Sequence, residues 1–575
     1  MNYPLIEAEK EITNELEKIL KKLKIEYKVK IEIPPENMGD FAFPCFQLAS
    51  IAKKSPNNIA LEIKNLFKIN KWLKKIEVNG AYINFYLDET YFKKKILEIY
   101  NNIKENFGYL ENKDKKIIIE HTSANPNGPL HVGRARNPII GDTLVRLYKA
   151  AGYNVESQFY LDDMGKQVAI LAWGVNNLDK KDILQSDYDK PDHKTVGFYQ
   201  KANELMQDDF NIQEEISTII KKSEEGDDTV LSMVHNAYRP VLEGMKQSME
   251  NINIKIDKYI PESTFVKNKS VDSVINELNK SKYSDKEGKA RFLDLESFGV
   301  KGRNTKFFYV RGDGTTLYAT RDIAYHMWKA ENSDLLINVL GEDHKLESKQ
   351  VEIALNLLDA KHIPQVIFYS FVSLPGGKMS TRKGRVVYLD DLIDESIDRA
   401  KIEIEKRRGQ DLSKNKIEEI SKIIGIGAIR YNIIKVQPEK DITFKWEEAL
   451  NFEGNAAPFI QYSHARACSI LQKNTISFED IDIKNISHKS EIILIKTIAR
   501  FPNIIDEACK GFKPHIIALY LFDIAQKFNQ FYRDCTVISE KDKEIKKARL
   551  FLVNLTRIVL KNGLNLLGIT APEEM

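Results

Sequence analysis

Cysteine is scarce: four residues in 575, at Cys45, Cys468, Cys509 and Cys535, none within a C-x-x-C pair. So scattered, they supply neither a zinc-site spacing nor a disulfide framework, so we expect no protein-bound zinc and a reducing compartment. The chain also has no leader-like start and no apolar run of about 18 residues, which predicts a soluble, cytoplasmic protein with no membrane segment. A dominant charge sign is missing too. The 86 basic and 83 acidic side chains leave a net charge of +3. That balance neither demands nor excludes nucleic acid, because local basic patches matter more than the sum. What the chain does have is a 42% hydrophobic fraction with 10% aromatics. This is enough for sizeable cores, and the length suggests about three to four domains.

The most informative stretch begins with Lys116-Ile117-Ile118-Ile119, a short β-branched run that reads as a buried parallel strand. It passes into Glu120-His121-Thr122-Ser123-Ala124-Asn125-Pro126-Asn127-Gly128-Pro129-Leu130-His131-Val132-Gly133-Arg134. Ile139, Ile140, Leu144, Val145 and Leu147 then recur at helical spacing until Gly152 stops them. A helix N-terminus offers unpaired N–H groups and partial positive charge, which suit a phosphate. Gly133 admits close approach of a nucleotide, and His131 is able to donate to a phosphate oxygen. Taken as three letters, His-x-Gly fits an ordinary strand–loop–helix junction with a surface histidine equally well. Residues 153–160 supply a second strand and complete a βαβ unit. Leu161-Asp162-Asp163-Met164-Gly165-Lys166-Gln167 follows where open α/β sheets bind ligands.

Residues 175–305 are polar and charged, with helical patches and no hydrolytic or metal constellation, and read as an insertion that joins two halves of a sheet domain. The sheet is expected to resume at 306–310. Tyr318 and Asp322 stand four apart and share one helical face, in isolation more often a solvated or capping face. Strands are expected at 335–340, ending in Gly341-Glu342-Asp343-His344, and at 366–374. The second of these delivers Pro375-Gly376-Gly377-Lys378-Met379-Ser380-Thr381-Arg382-Lys383-Gly384. Its glycines give a mobile loop, and Lys378, Arg382 and Lys383 suit a triphosphate tail. From 391 the pattern is wholly helical, and Gly425-Ile426-Gly427-Ala428 permits close helix packing. Residues 1–112 form an α/β module: a helix over about 5–24, an alternating strand at 27–33 broken by Pro34-Pro35, and another at 79–85. A charged linker, 111–116, follows it.

The string 120–142 resembles the signature region of arginyl-tRNA synthetases, which are class I aminoacyl-tRNA synthetases. The loop 378–384 resembles the class I Lys-Met-Ser-Lys loop in its Met-Ser-Thr-Arg form, and 161–167 resembles the family's Asn-Asp-x-Gly-x-Gln loop. The resemblance spans essentially the whole chain. Three positions depart from it: Arg134 ends the His-x-Gly-His motif, Asp162 replaces an Asn, and Thr381 stands where the last Lys is usual.

The resemblance implies a multidomain α/β architecture. An N-terminal α+β tRNA-binding module (1–112) precedes a Rossmann-type parallel-sheet catalytic domain (113–395, insertion about 175–305). A helical connector (396–450) and an all-α anticodon-binding domain (451–575) complete it. The implied reaction is arginine–tRNA ligation through arginyl-adenylate, with transfer to the 2′-OH of the terminal adenosine. His131 and Arg134 are expected at the α-phosphate, with Lys378 and Lys383 holding pyrophosphate. Gly133, Met379 and Ser380 complete the implied ATP site. Arginine is expected against Glu120, Ser123, Asn125, His131, Tyr318, Asp322 and His344. A guanidinium carries a rigid fork of donors and never deprotonates in a protein, so it calls for fixed carboxylates. Asn79, Tyr82 and Asn84 are implied at a flipped-out base near the tRNA D-loop, and Tyr520, Asn529 and Met575 at the anticodon. Expected partners are tRNA(Arg), L-arginine and ATP, with Mg²⁺ accompanying ATP, on a monomer. The alternatives are an inactive paralogue that keeps its RNA-binding domains, and another class I ligase or nucleotidylyltransferase. Intact pocket carboxylates and both ATP motifs count against the first, and the long helical C-terminal domain against the second.

Overall fold

The computed structural model describes residues 3–35, 37–186, 188–302, 305–374, 377–378, 387–474, 478 and 481–575. The N-terminal module pairs β1 (Phe41–Pro44), β2 (Leu73–Asn79) and β3 (Tyr82–Leu87) as an antiparallel sheet in the order β1-β3-β2. The register Asn79↔Tyr82 leaves Gly80 and Ala81 as a two-residue hairpin turn, with Gly80 at φ +58°. Such turns need the left-handed region that glycine tolerates. The strand expected at 79–85 is thus a turn followed by β3. The alternating stretch 27–33 makes a single bridge, Glu32 with Ala42, because Pro34-Pro35 cuts the ladder short. The linker does not set this module apart. Beyond helix Glu89–Ile103, the Asn562 amide donates to the carbonyls of Glu105 (2.8 Å) and Phe107 (3.0 Å). Asn554 donates to the Tyr100 hydroxyl at 2.9 Å, and Lys93 to the Ile486 carbonyl at 2.7 Å.

Behind the module lies a five-stranded parallel sheet. It contains β4 (Lys116–Glu120), β5 (Asn154–Leu161) and β6 (Lys258–Pro261). A separate antiparallel sheet holds β7 (Ser284–Glu287), β8 (Ala290–Asp294) and β9 (Lys306–Val310). The parallel sheet then gains β10 (Leu335–Gly341) and β11 (Gln365–Tyr369), in the order β11-β10-β4-β5-β6. From β4 the chain winds through helix Arg136–Ala150 to β5 on one side, while β10 and β11 lie on the other. The carboxyl ends of β4 and β10 therefore flank a topological switch point, where such sheets bind ligands. Ile117, Ile118 and Ile119 are fully buried, as a strand covered on both faces requires.

Two elements fall differently from expectation. The sheet does not resume at 306–310; its edge strand is β6, from within the polar stretch 175–305. Lys258-Tyr259-Ile260-Pro261 is only partly buried, and proline is tolerated at a sheet edge, so β6 carries no strong apolar signal. The stretch 366–374 also breaks: β11 ends at Tyr369, and β12 (Val372–Leu374) joins β13 (Gly377–Lys378) and β14 (Ile442–Thr443) in a small sheet. At the break the Ser370 N–H donates to the Pro438 carbonyl, and its own carbonyl accepts from Arg136 at 2.6 Å.

The remainder is helical, from Leu389–Arg408 to Lys543–Leu566. A Cβ at Gly425 would meet the Ile397 backbone at 3.0 Å, so the small residues do allow helices Leu389–Arg408 and Lys414–Ile434 to pack closely. The fully buried Arg430 guanidinium donates to Asp142 (2.5 Å) and to the carbonyls of Leu567 (2.6 Å) and Ile252 (2.7 Å). It thereby ties the signature helix to the C-terminal bundle. Removing one partner of such a buried pair costs about 3–5 kcal/mol. The four cysteines are buried and free, and no described helix is long and apolar enough to cross a membrane.

Candidate functional site

Strand β4 ends in a strained turn. Thr122 (φ +74°) and Ser123 (φ +38°) occupy the left-handed region, costly for a β-branched residue by about 1–3 kcal/mol. The Asn137 side chain holds this turn by accepting from the Thr122 N–H at 2.7 Å and donating to the Val339 carbonyl at 3.0 Å. The consequence is chemical. The Ser123 hydroxyl is turned back to donate to Glu120 Oε1 (3.1 Å), while its oxygen accepts from the Tyr160 N–H (3.1 Å).

At the switch point lies a cavity of about 720 Å³. Among its lining residues are Glu120, Ser123, Asn125, Arg134, Tyr318, Asp322 and His344. Residues from three separate stretches of sequence thus share one space. Tyr318 and Asp322 sit on the first turns of helix Tyr318–Glu331 and present the shared face that their spacing predicts. Beneath them the Tyr160 and Tyr325 rings stack with centroids 4.3 Å apart, and the Tyr325 hydroxyl donates to Gln158 at 2.8 Å.

The two pocket carboxylates are not bare. Glu120 Oε2 accepts from the fully buried Lys329 ammonium at 2.6 Å. Lys329 also donates to Asn338 Oδ1, and its ammonium lies 3.2 Å from His326 Nε2. Asp322 lies 3.2 Å from His326 Nδ1. Desolvation pushes the Asp322 carboxyl up, but His326 beside it, with Lys329 and His344 farther off, holds it below the usual carboxylate range. At the cavity mouth the half-exposed His344 pairs with Glu347 at 3.0 Å, which raises its imidazole above the ordinary value. Asn137, His326, Lys329 and Asn338 did not stand out in the sequence reading. A signal for three of them was present: His326 and Lys329 continue the Tyr318–Asp322 face at spacings of four and three, and Asn338 interrupts an apolar strand.

The His-x-Gly motif forms a short 3-10 turn, Val132–Arg134, leading into helix Arg136–Ala150. His131 Nδ1 accepts from the Gly133 N–H at 3.0 Å, which puts the proton of a neutral ring on Nε2. Arg134 is exposed and reaches the cavity, whereas His131 and Gly133 are not among its lining residues. Residues 130–132 pair with 387–389: the Val132 N–H donates to the Val387 carbonyl (3.1 Å), and the Leu389 N–H to that of Leu130 (2.8 Å). The first motif is thus stitched to the segment that follows the lysine-rich loop. Lys378 lies on β13, with its backbone opposite Ser373. Met379, Ser380, Thr381, Arg382 and Lys383 lie outside the described residues. The loop 161–167 contributes Asp162 to the cavity, and Gln167 accepts from Asn127 of the signature turn at 2.6 Å.

The sites expected for RNA divide. Asn79 is exposed at the hairpin, and Tyr82, 37% exposed, meets the exposed Phe46 ring edge-on at 5.2 Å. Asn84 faces the same side of β3 but is buried. Tyr520 offers no ring to a base. It is buried, stacked on Phe501 at 5.6 Å, with its hydroxyl donating to the Thr497 carbonyl, because its helix turns that face into the bundle. Asn529 accepts from Arg466 at 2.8 Å, and Arg466 lies over the rings of Tyr462 (4.9 Å) and Tyr532 (5.7 Å). These three residues, Arg408, Lys416 and Met575 line a second cavity of about 820 Å³, and Tyr462 is 41% exposed. Among the described residues, Asp192, His193 and Asp390 come close enough to suggest a metal site. There the Lys190 ammonium already donates to Asp390 at 2.7 Å and stands 3.5 Å from Asp192.

Comparison with known proteins matches three family descriptions in turn. "Arginyl tRNA synthetase N terminal domain" matches residues 7–87, "tRNA synthetases class I (R), catalytic domain" residues 98–446, and "DALR anticodon binding domain" residues 460–575. The chain is 46% identical over 530 residues to an arginine–tRNA ligase of Methanocella arvoryzae, covering 92% of each chain. It is 43% identical to that of Methanosphaera stadtmanae, covering 98% of this chain and 99% of the other. Among solved structures, Thermus thermophilus arginyl-tRNA synthetase superposes with a TM-score of 0.84 at 25% identity, over 98% of this chain and 100% of that one. The Plasmodium falciparum enzyme shares the fold, with a TM-score of 0.82 at 20% identity over 98% and 99% of the two chains.

Proposed function

The chain belongs to the arginyl-tRNA synthetase family and is an arginine–tRNA ligase of class I; from that membership we propose how its own residues divide the work. The cavity at the switch point takes arginine and the α-phosphate end of ATP. The observation that carries this reading is the meeting of Glu120 and Asp322 with Arg134 on one cavity, two carboxylates for a guanidinium and a cation for a phosphate. The guanidinium sits against Asp322 and Glu120, with the Tyr318 hydroxyl as a further acceptor. Asn125 and Ser123 orient the α-amino and carboxylate groups, and His344 stands at the mouth.

The first step is an in-line attack by the arginine carboxylate on the α-phosphorus of ATP, expelling pyrophosphate and leaving arginyl-adenylate. The protein forms no covalent bond. Its contribution is positioning and stabilisation of developing charge. Arg134 and the Nε2–H of His131 meet the α-phosphate, and Gly133 lets the nucleotide approach the backbone. Lys378 and Lys383, with the backbone of Met379 and Ser380, hold the departing pyrophosphate. The terminal adenosine 2′-OH of tRNA(Arg) then attacks the activated carbonyl and AMP leaves. Mg²⁺ accompanying ATP would help to neutralise its phosphates. Glu120, Asp322, Asp162 and Glu224 are engaged by Lys329, His326, the Gly165 N–H and Arg321 respectively.

The hairpin bearing Asn79, Tyr82 and Phe46 reads an unpaired tRNA base, and the cavity around Arg466, Tyr462 and Met575 takes the anticodon. The enzyme acts as a monomer in the cytoplasm. The boundaries 1–112, 113–395, 396–450 and 451–575 divide these tasks. ATP–pyrophosphate exchange across the amino acids, with and without tRNA(Arg), tests the reading. Exchange should depend on arginine alone. No exchange with arginine under either condition would leave an inactive RNA-binding paralogue, and exchange driven by another amino acid would refute the pocket.

A further inference from the structure

A buried lysine needs a reason, and Lys329 is fully buried with a charged head. It sits on helix Tyr318–Glu331, eleven residues after Tyr318, on the face that also carries Asp322 and His326. Its ammonium has three donors and finds three acceptors: Glu120 Oε2 at 2.6 Å, Asn338 Oδ1 at 3.2 Å and His326 Nε2 at 3.2 Å. The Tyr325 ring lies 4.1 Å from it on another side. Because the ammonium can only donate, Asn338 must turn its oxygen toward Lys329 and its amide N–H₂ toward His326 Nε2, 2.7 Å away. His326 Nε2 is then an acceptor, and the ring proton sits on Nδ1, facing the Asp322 carbonyl (2.8 Å) and carboxylate (3.2 Å).

We propose that Lys329 is a positioning residue that balances the charge of the arginine pocket, aiming Glu120 and fixing His326 to donate to Asp322. The proposal rests on the assignment of Glu120 and Asp322 to the guanidinium. Two carboxylates and one ammonium leave one net negative charge, matched to one guanidinium. Without Lys329, two carboxylates would share a poorly solvated site, and one would retain its proton toward neutral pH. The other groups facing Glu120 do not replace the lysine. Ser123 and the hydroxyls of Tyr318 and Tyr325 carry no charge, Asp322 is a second carboxylate, His326 is engaged with Lys329, Asn338 and Asp322, and His344 is paired with Glu347.

The test is the arginine KM in pyrophosphate exchange from about pH 6 to 9, for wild type, Lys329→Met, Glu120→Gln and the double variant. Lys329→Met should raise the arginine KM about tenfold or more relative to wild type at the acid end and recover as pH rises, with ATP KM and kcat changing little. In the Glu120→Gln background the same change should add less than about twofold and no pH slope. A pH-independent loss, or an equal factor in both backgrounds, overturns the proposal. If Lys329→Met does not fold, the double variant, which leaves no unpaired carboxylate, supplies the readout. Its arginine KM should match that of Glu120→Gln, and a value about tenfold worse overturns the proposal. Glu120→Gln with an unchanged arginine KM would instead sink the pocket assignment itself.

Discussion

Replacing Asp322 by Asn removes a pocket charge while keeping the shape. The carboxylate is 17% exposed and accepts from His326 at 3.2 Å. An Asn oxygen can still take that proton, so folding should survive with a thermal shift of about a degree or two. The guanidinium, however, would lose a charge-assisted hydrogen bond of about 1.5–3 kcal/mol and would face an amide N–H₂ in some orientations. The corresponding rise in arginine KM is about ten- to over a hundredfold. Because its neighbours hold this carboxyl below the usual range, the group is ionised throughout neutral pH, and the factor should not vary between about pH 6 and 8. Arginine-dependent pyrophosphate exchange with tRNA present measures it, with ATP KM as the control. An arginine KM within about twofold of wild type, or equal losses for arginine and ATP, would refute the reasoning.

Three further outcomes follow from other parts of the molecule. Burial pushes the His121 imidazole down to about 4, against an ordinary 6.5, so the unfolded chain binds a proton that the folded chain refuses. That stability is whole above about pH 6.5 and is lost as pH falls toward 4, by up to about 3 kcal/mol; calorimetry of His121→Gln should show a shallower acid slope, and an unchanged slope would count against it. Lys378→Ala and Lys383→Ala should slow adenylate formation in single-turnover assays and leave transfer from preformed arginyl-adenylate intact, whereas equal slowing of both steps would indicate a docking or folding role. The triple alanine variant of Asn79, Tyr82 and Asn84 should weaken tRNA binding by about 1–3 kcal/mol, mostly through Tyr82, and should cease to distinguish a tRNA altered only in its D-loop; a retained distinction would clear the hairpin of base reading.

The elements legible in the sequence were those with strong local patterning. Ile117-Ile118-Ile119 announced a doubly covered strand, and the repeat from Ile139 to Leu147 its crossover helix, so the switch point followed. The four-residue step from Tyr318 to Asp322 placed both on one cavity. Legibility failed where a tertiary partner decided the outcome. Strand β6 is short, polar and at an edge, and only its register with β5 makes it part of the sheet. The stretch 27–33 alternates well but gains one bridge. Tyr520 lay among plausible aromatics, and bundle packing turned it inward while leaving Tyr462 half outside. The charged linker at 111–116 reads as the end of a module, but Asn554 and Asn562, about 450 residues away in sequence, clasp that module's last residues. A truncation at 112 would strip partners from the C-terminal bundle, which is why point variants at the hairpin are the cleaner probe.

The structure of the complex with L-arginine tests the assignment of Glu120 and Asp322 most directly. The guanidinium should lie within hydrogen-bond reach of Asp322 and Glu120, with the α-carboxylate directed toward Arg134. Arginine bound outside the Glu120–Asp322 cavity, or seated there with its carboxylate on those acids, would contradict it.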